Sequence, residues 1–135
     1  MPTVAEAAST IRSRFAAEFP RLRPAVAIHY DNVGAAPPDG EPWVRLTIEH
    51  GDGEQVSIGA ARRWRQTGTV RVQVFAPVGE GGGEALAIAD DVASVFRGVS
   101  EPGVRFAAPG LTRVGPGRRW YELQVAVPWT AELDA

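Results

Sequence analysis

Four residues with metal-binding side chains crowd one segment of the chain: Glu49, His50, Asp52 and Glu54. Carboxylates and imidazoles are common metal ligands. Such residues also decorate hairpin turns, however, and the alternation of a strand would send neighbouring side chains to opposite faces. The intervening glycines make His50–Gly53 a hairpin signal, so we predict a turn here and no metal site.

The residue types needed for covalent catalysis are scarce. The chain has no cysteine, and all 14 basic residues are arginine, so a thiol nucleophile, a Schiff-base lysine and a P-loop lysine are all excluded. Asp90 and Asp91 are adjacent on a predicted helix and do not face each other, which makes them a poor acid–base pair. His29 lies in a predicted strand. No nucleophile–base pair emerges, so a hydrolase is the weakest candidate, and no catalytic residue is predicted.

A glycine-rich segment, residues 79–83, precedes a predicted helix. A helix N-terminus attracts anions, which suggests a phosphate site. A P-loop, however, continues with Gly-Lys-Ser/Thr, whereas this segment continues with Gly83, Glu84 and Ala85. Glu80 and Glu84 would also repel a phosphate. We therefore expect a flexible connection, and no bound cofactor.

The most distinctive cluster combines arginine with tryptophan. It comprises Arg62, Arg63, Trp64, Arg65 and Arg71. Such a patch is compatible with nucleic-acid binding, but the net charge of −2 gives no global field that favours a polyanion. Arginine and tryptophan are also enriched in protein interfaces. We interpret the cluster as a local positive surface for an acidic partner surface, of which a neighbouring subunit is one candidate.

The elements that position these residues follow from hydrophobic periodicity. Apolar residues recur at helical spacing over residues 3–19, where prolines should end the helix, and again after the glycine-rich segment as far as Gly98. Alternation predicts strands, with turns at His50–Gly53 and Gln66–Gly68, over residues 25–30, 43–49, 55–58, 70–76, 104–106, 111–114 and 120–128.

This order predicts an α+β fold, a mostly antiparallel sheet with two amphipathic helices packed against it. We expect one domain over residues 1–135, with a long loop at 31–42 and a loose tail at 129–135. The N-terminus lacks the pattern of a secretory signal. No apolar run approaches the ~18 residues of a membrane span, so we expect no membrane association.

At this point the motifs resemble those of the phage tail-terminator family, found in long-tailed phages and phage-like gene transfer agents. The resemblance covers residues 4–129. Its most specific part runs from Ile58-Gly59 through Trp64-Arg65 to Gly68, followed by Val72-Gln-Val-Phe-Ala-Pro77 and a glycine-rich break.

The resemblance implies a structural protein that assembles in the bacterial cytoplasm and ends up in a virion or phage-like particle. There a homo-oligomeric ring, usually a hexamer, caps the head-proximal end of the tail tube and stops tube polymerisation. It also contacts the head-completion (connector) proteins, and DNA passes through its lumen without sequence-specific binding. A small monomeric adaptor or ligand-binding module remains the alternative. For the interface that such a ring needs, the arginine cluster and an acidic region with Glu84, Asp90 and Asp91 are complementary candidates. The orientation of the arginine cluster, toward the lumen or a neighbour, is open, as is which face meets tube or head.

Overall fold

The computed structural model describes residues 3–31, 38, 40–55, 63–79 and 82–134. Two helices and seven strands follow in chain order: α1 (Val4–Leu22), β1 (Ala27–Tyr30), β2 (Trp43–Gln55), β3 (Arg63–Pro77), α2 (Gly83–Phe96), β4 (Ser100–Glu101), β5 (Val104–Phe106), β6 (Gly110–Pro116) and β7 (Trp120–Asp134). The predicted α+β class is confirmed. Neither helix has the length and apolar character needed to cross a membrane, as far as the described residues go.

The first helix begins where its cap predicts and ends later than expected. The Thr3 hydroxyl accepts a hydrogen bond from the Glu6 N–H at 3.1 Å, which satisfies a free donor of the first turn. Pro20 was expected to end the helix but lies inside its last turn. It is exposed there and removes only one helical hydrogen bond. The Arg23 N–H closes the final turn on the Phe19 carbonyl at 2.9 Å.

One sheet contains all seven strands, in the order β1-β2-β3-β7-β5-β4, with β6 also paired to β7. β1 runs parallel to β2, and every other pairing is antiparallel. β3 therefore lies at the centre, between β2 and β7. β7 is flanked on its other side by β6 near its start and by β5 near its end.

Both predicted turns in the middle of the chain are wrong. The segment His50–Gly53 lies inside β2 as a register irregularity, and Gly68 lies inside β3 opposite His50 and Trp129. Pairing on both sides of β3 outweighs the local turn preference of these glycines. The connection between β2 and β3 falls at residues 56–62. It therefore lies outside the described residues, as does most of the predicted return strand.

The predicted loose C-terminal tail is also wrong, because β7 continues to Asp134. Trp129, Ala131 and Leu133 alternate into the core. Pro128, the last residue of the predicted strand, lies inside β7, and its carbonyl accepts a hydrogen bond from the Ala107 N–H at 2.8 Å. The N–H and C=O of one strand residue point to the same side. The missing donor of Pro128 therefore faces away from β3, and no β3–β7 hydrogen bond is lost.

The helices cover one face of the sheet. Alternate residues of β2, β3 and β7 join one buried cluster with Ile11, Phe15 and Phe19 of α1 and with Ile88, Val92 and Phe96 of α2. The other set of alternate residues lies on the opposite side, which we call the helix-free face. It includes Arg45, Glu49, Arg65, Arg71 and Glu132.

Arg14 joins α1 to the end of α2. Its Nε donates to the Val95 carbonyl at 2.7 Å, and Nη1 lies 3.1 Å from Glu101 Oε1. The side chain is 18% exposed. It therefore satisfies a carbonyl in the last turn of α2, which ends just before Gly98 with its φ of +68°.

Replacing Arg14 with methionine should lower the free energy of unfolding by about 2 kcal/mol, because charged hydrogen bonds of this kind are removed together. Urea denaturation measures the change. Arg21→Met is the matched control, since the Arg21 side chain is 76% exposed and its nearest carboxylate, Glu18, is 4.0 Å away. Equal effects for the two variants would contradict a specific role of Arg14.

Candidate functional site

The metal-binding side chains around His50 do not converge, because the strand directs them to different partners. Glu49 lies on the helix-free face and binds Arg71. The His50 ring meets Trp129 of the core at 5.6 Å, edge to face. Glu54 pairs with Arg65. Within the described ranges, no group of three or more such side chains is positioned to hold a metal ion.

The helix-free face carries a polar ladder across three strands. Arg71 of β3 binds Glu49 of β2, with Nη2 3.0 Å from Oε1, and its Nη1 lies 3.3 Å from the Gln124 Oε1 of β7. The amides of Gln73 and Gln124 both donate to Glu122 Oε2, at 3.1 and 2.8 Å. One predicted interface arginine is thus held by carboxylate and amide groups of its own chain.

The other members of the arginine–tryptophan cluster divide between the two faces. Arg65 lies 3.5 Å from both Glu54 and Glu132, and the strand register places Arg63 on the same helix-free face. Trp64 points the other way and packs against the core cluster. Arg62 lies outside the described residues. The positive surface is therefore formed by arginines without the tryptophan, and part of its charge is neutralised within the chain.

The predicted acidic residues lie on the opposite side of the molecule, on α2. Asp91 Oδ2 lies 2.5 Å from Arg23 Nε and ties α2 to the end of α1. Glu84 and Asp90 are exposed. Arg63 and Arg65 face away from the helices, so a contact between them and the α2 carboxylates requires two copies of the chain.

Sequence reasoning missed an aromatic cluster on the helix-free face. The Trp43 ring stacks on Phe75 with centroids 4.2 Å apart, and Arg45 lies over Trp43 at 5.1 Å. His29 and Trp120 contact Trp43 at 4.8 and 6.0 Å. Only 2% of Trp43 is exposed, although no helix covers it. The sequence signal that could have predicted this cluster is the large aromatic residue at the start of β2 and another near the end of β3.

One tyrosine in β1 has a perturbed acidity. Burial raises the pKa of the Tyr30 hydroxyl, and the nearby Arg12 guanidinium partly opposes the shift. Both effects leave the phenol protonated at neutral pH, because its ordinary pKa is already about 10. Tyr30 therefore serves as a packing residue against the core cluster.

Comparison with known proteins gives a consistent result. The family model of the phage tail terminator protein matches residues 8–129. A solved chain from the virion of a native gene transfer agent particle aligns over 100% of both chains, with 19% identity and a TM-score of 0.61. Another solved chain aligns over 90% of this chain and 92% of its own, with 17% identity and a TM-score of 0.65. No curated protein matches by sequence.

The two solved structures share the fold, and the family model covers nearly the whole sequence. Every element from β1 to β6 falls wholly within the matched region, as do α2, most of α1 and the first two thirds of β7. The resemblance inferred from the sequence motifs is thereby confirmed. The chain belongs to the phage tail terminator family and is a structural protein of a phage or phage-like tail.

Proposed function

We propose that the chain forms a ring, usually of six copies, which caps the head-proximal end of a completed tail tube. The ring ends tube polymerisation and presents a surface to the head-completion proteins, while DNA passes through its lumen. The observation that carries this proposal is the family match over residues 8–129. The full-length alignment with a chain of a gene transfer agent virion supports it through the fold.

A closed ring needs a heterologous interface, in which one patch meets a different patch on the neighbour. The arginine cluster and the α2 carboxylates are suited to this because they lie on opposite sides of one subunit. In our proposal, Arg63, Arg65 and Arg71 face Glu84, Asp90 and Asp91 of the next copy, with Trp64 on the other side of β3. Glu84 and Asp90 are the more available acidic partners, since Asp91 is already bound to Arg23.

The double variant Arg63→Glu and Arg65→Glu should abolish the ring and leave a folded monomer. The reversed charges would face the α2 carboxylates across the interface, and like charges there are strongly unfavourable. Size-exclusion chromatography with light scattering measures the assembly, and circular dichroism verifies the fold. Arg21→Glu, an exposed charge reversal on α1, is the matched control and should keep the ring.

An intact ring in the double variant would eliminate this charge contact, although not the ring itself. The proposed function is tested separately with purified tube protein. Tubes polymerised with the wild-type chain should stop growing and show a ring at one end in negative-stain images. A stable monomer at high concentration that leaves tube length unchanged would instead identify a monomeric adaptor.

A further inference from the structure

The sheet is open at two opposite flanks. Among the described residues, β1 pairs only with β2 and β6 pairs only with β7, so each strand has one free edge of backbone N–H and C=O groups. Free edges are prone to add another strand. β6 is a seven-residue strand, long enough to pair with all four residues of β1.

Both flanks carry uncovered apolar side chains. On β6, Leu111 is 51% exposed and Val114 is 54% exposed. At the start of β1 and β2, an open groove is lined by the apolar residues Leu22, Val26 and Pro42 and also by Arg23, Glu41 and Glu84. The Leu22 side chain is 47% exposed. Exposed apolar side chains beside a free strand edge are typical of surfaces that are covered in an assembly.

The exposed residues also lie on matching faces. Leu111 is opposite the buried Val125 and therefore on the helix side of the sheet. Val26 and Ile28 pack against the core cluster on that same side. When two sheets join edge to edge, paired residues share a face. Leu111 of one copy would thus meet the groove beside β1 of the next.

The strand directions allow the free edges of β6 and β1 to pair between neighbouring copies. β1, β2 and β7 run in one direction, and β3 and β6 run in the other. In a ring whose axis follows the strands, every copy has the same directions, so β6 of one subunit would be antiparallel to β1 of its neighbour. Antiparallel pairing is the more stable arrangement per residue.

From these observations we propose that β6 of one subunit adds to β1 of the next and makes the sheet continuous around the assembly. The occupant of each open edge is a second copy of this chain. The inference rests on the proposed ring and specifies how the ring closes. It is an alternative to the charge contact of the arginine cluster, because a continuous sheet keeps the helix-free faces of all copies on one side and the α2 carboxylates on the other. The charge reversal and the cross-link below therefore distinguish two ways of closing the ring.

Cysteine cross-linking tests the pairing directly, because the chain has no cysteine of its own. The test variant combines Ala27→Cys with Thr112→Cys; both positions are exposed and on the helix-free face. Within one molecule these strands are four spacings apart, about 19 Å. That distance exceeds the ~7 Å limit between the Cα atoms of a disulfide, so any bridge must join two copies.

Rings of the double variant, treated with oxidant or a short bifunctional thiol reagent, should give a ladder of covalent oligomers that ends at the ring size. Each single-cysteine variant alone should give no ladder, and their equimolar mixture should give covalent dimers. The pair Ala27→Cys with Ser9→Cys is the control, since Ser9 is an exposed residue of α1, on the helix side of the sheet, whereas Ala27 lies on the helix-free face. Intact rings with reactive thiols but no ladder from the Ala27–Thr112 pair would overturn the edge pairing and leave the ring standing.

A second measurement addresses the apolar contact. Leu111→Asp should abolish the ring while the melting temperature of the monomer stays unchanged, because half of this side chain is already exposed in the monomer. Leu111→Met should retain the ring. A Leu111→Asp variant that still forms rings would contradict the proposal, whereas a wild-type chain that never forms rings, alone or on tubes, would refute the proposed function as well.

Discussion

Replacing Phe15 with alanine should remove a large part of the stability of the subunit. Phe15 is fully buried, and its ring stacks on Phe19 at 4.9 Å and on Phe96 of α2 at 6.0 Å. A phenylalanine-to-alanine change in a core typically costs about 3–5 kcal/mol. Domains of this kind are stable by only about 5–15 kcal/mol. The urea concentration at the midpoint of unfolding should therefore fall sharply.

The matched control is Val4→Ala, on the same helix but 41% exposed, which should change the midpoint little. The contrast is informative because both variants shorten an apolar side chain of α1. A small effect of Phe15→Ala would mean that the aromatic stack does not hold the two helices together. Loss of near-ultraviolet circular dichroism with retained helix content would show that packing is lost before secondary structure.

The variant Gly68→Ala should also destabilise the fold strongly. A Cβ atom at this position would lie 2.5 Å from Trp129 Cζ2 and would overlap the backbone carbonyl oxygen of Glu49. The second clash is with backbone in the neighbouring strand, which cannot rotate away. Overpacking of this kind costs about 3 kcal/mol, equivalent to a fall in melting temperature of about 10 °C for a domain of this size.

Gly110→Ala provides the comparison, because its added methyl group would have only the Ala126 carbonyl oxygen nearby, at 3.9 Å. Both glycines lie in strands, so their intrinsic conformational effects are similar. Differential scanning calorimetry of the two variants isolates the steric term. Equal melting temperatures would show that β2 or Trp129 moves aside at Gly68.

Gly68 also explains why the turns predicted in the middle of the chain are wrong. The local sequence around Gly51, Gly53 and Gly68 predicts turns, because glycine and aspartate favour turns. In the structure, Gly68 is needed because the Trp129 indole occupies the space of a side chain. That requirement depends on a strand far away in sequence, so no local pattern contains it. Elsewhere the alternation of Val70, Val72 and Val74 sufficed to predict the second half of β3, because it reflects burial on one face.

For the candidate surface, the sequence predicted which residues are present but not which residues they contact. The sequence showed that arginines cluster near Arg63 and Arg65, but their carboxylate partners depend on strand register. A hairpin at His50–Gly53 does not place Glu54 beside Arg65, and a loose tail at residues 129–135 gives Glu132 no fixed partner. The structure pairs both with Arg65. A register error therefore hides charge neutralisation even when the charged residues themselves are identified.

The position of β7 has a consequence for when a subunit can assemble. β7 pairs along its whole length with β3, although the two are distant in sequence, and such non-local pairing slows folding. In the part of the chain that the structure describes, β5 and β6 join the rest of the sheet through β7. During synthesis β7 emerges after every other described element. The β6 edge is therefore absent from all earlier folding intermediates, and a nascent chain has nothing on that flank with which to recruit a neighbour prematurely.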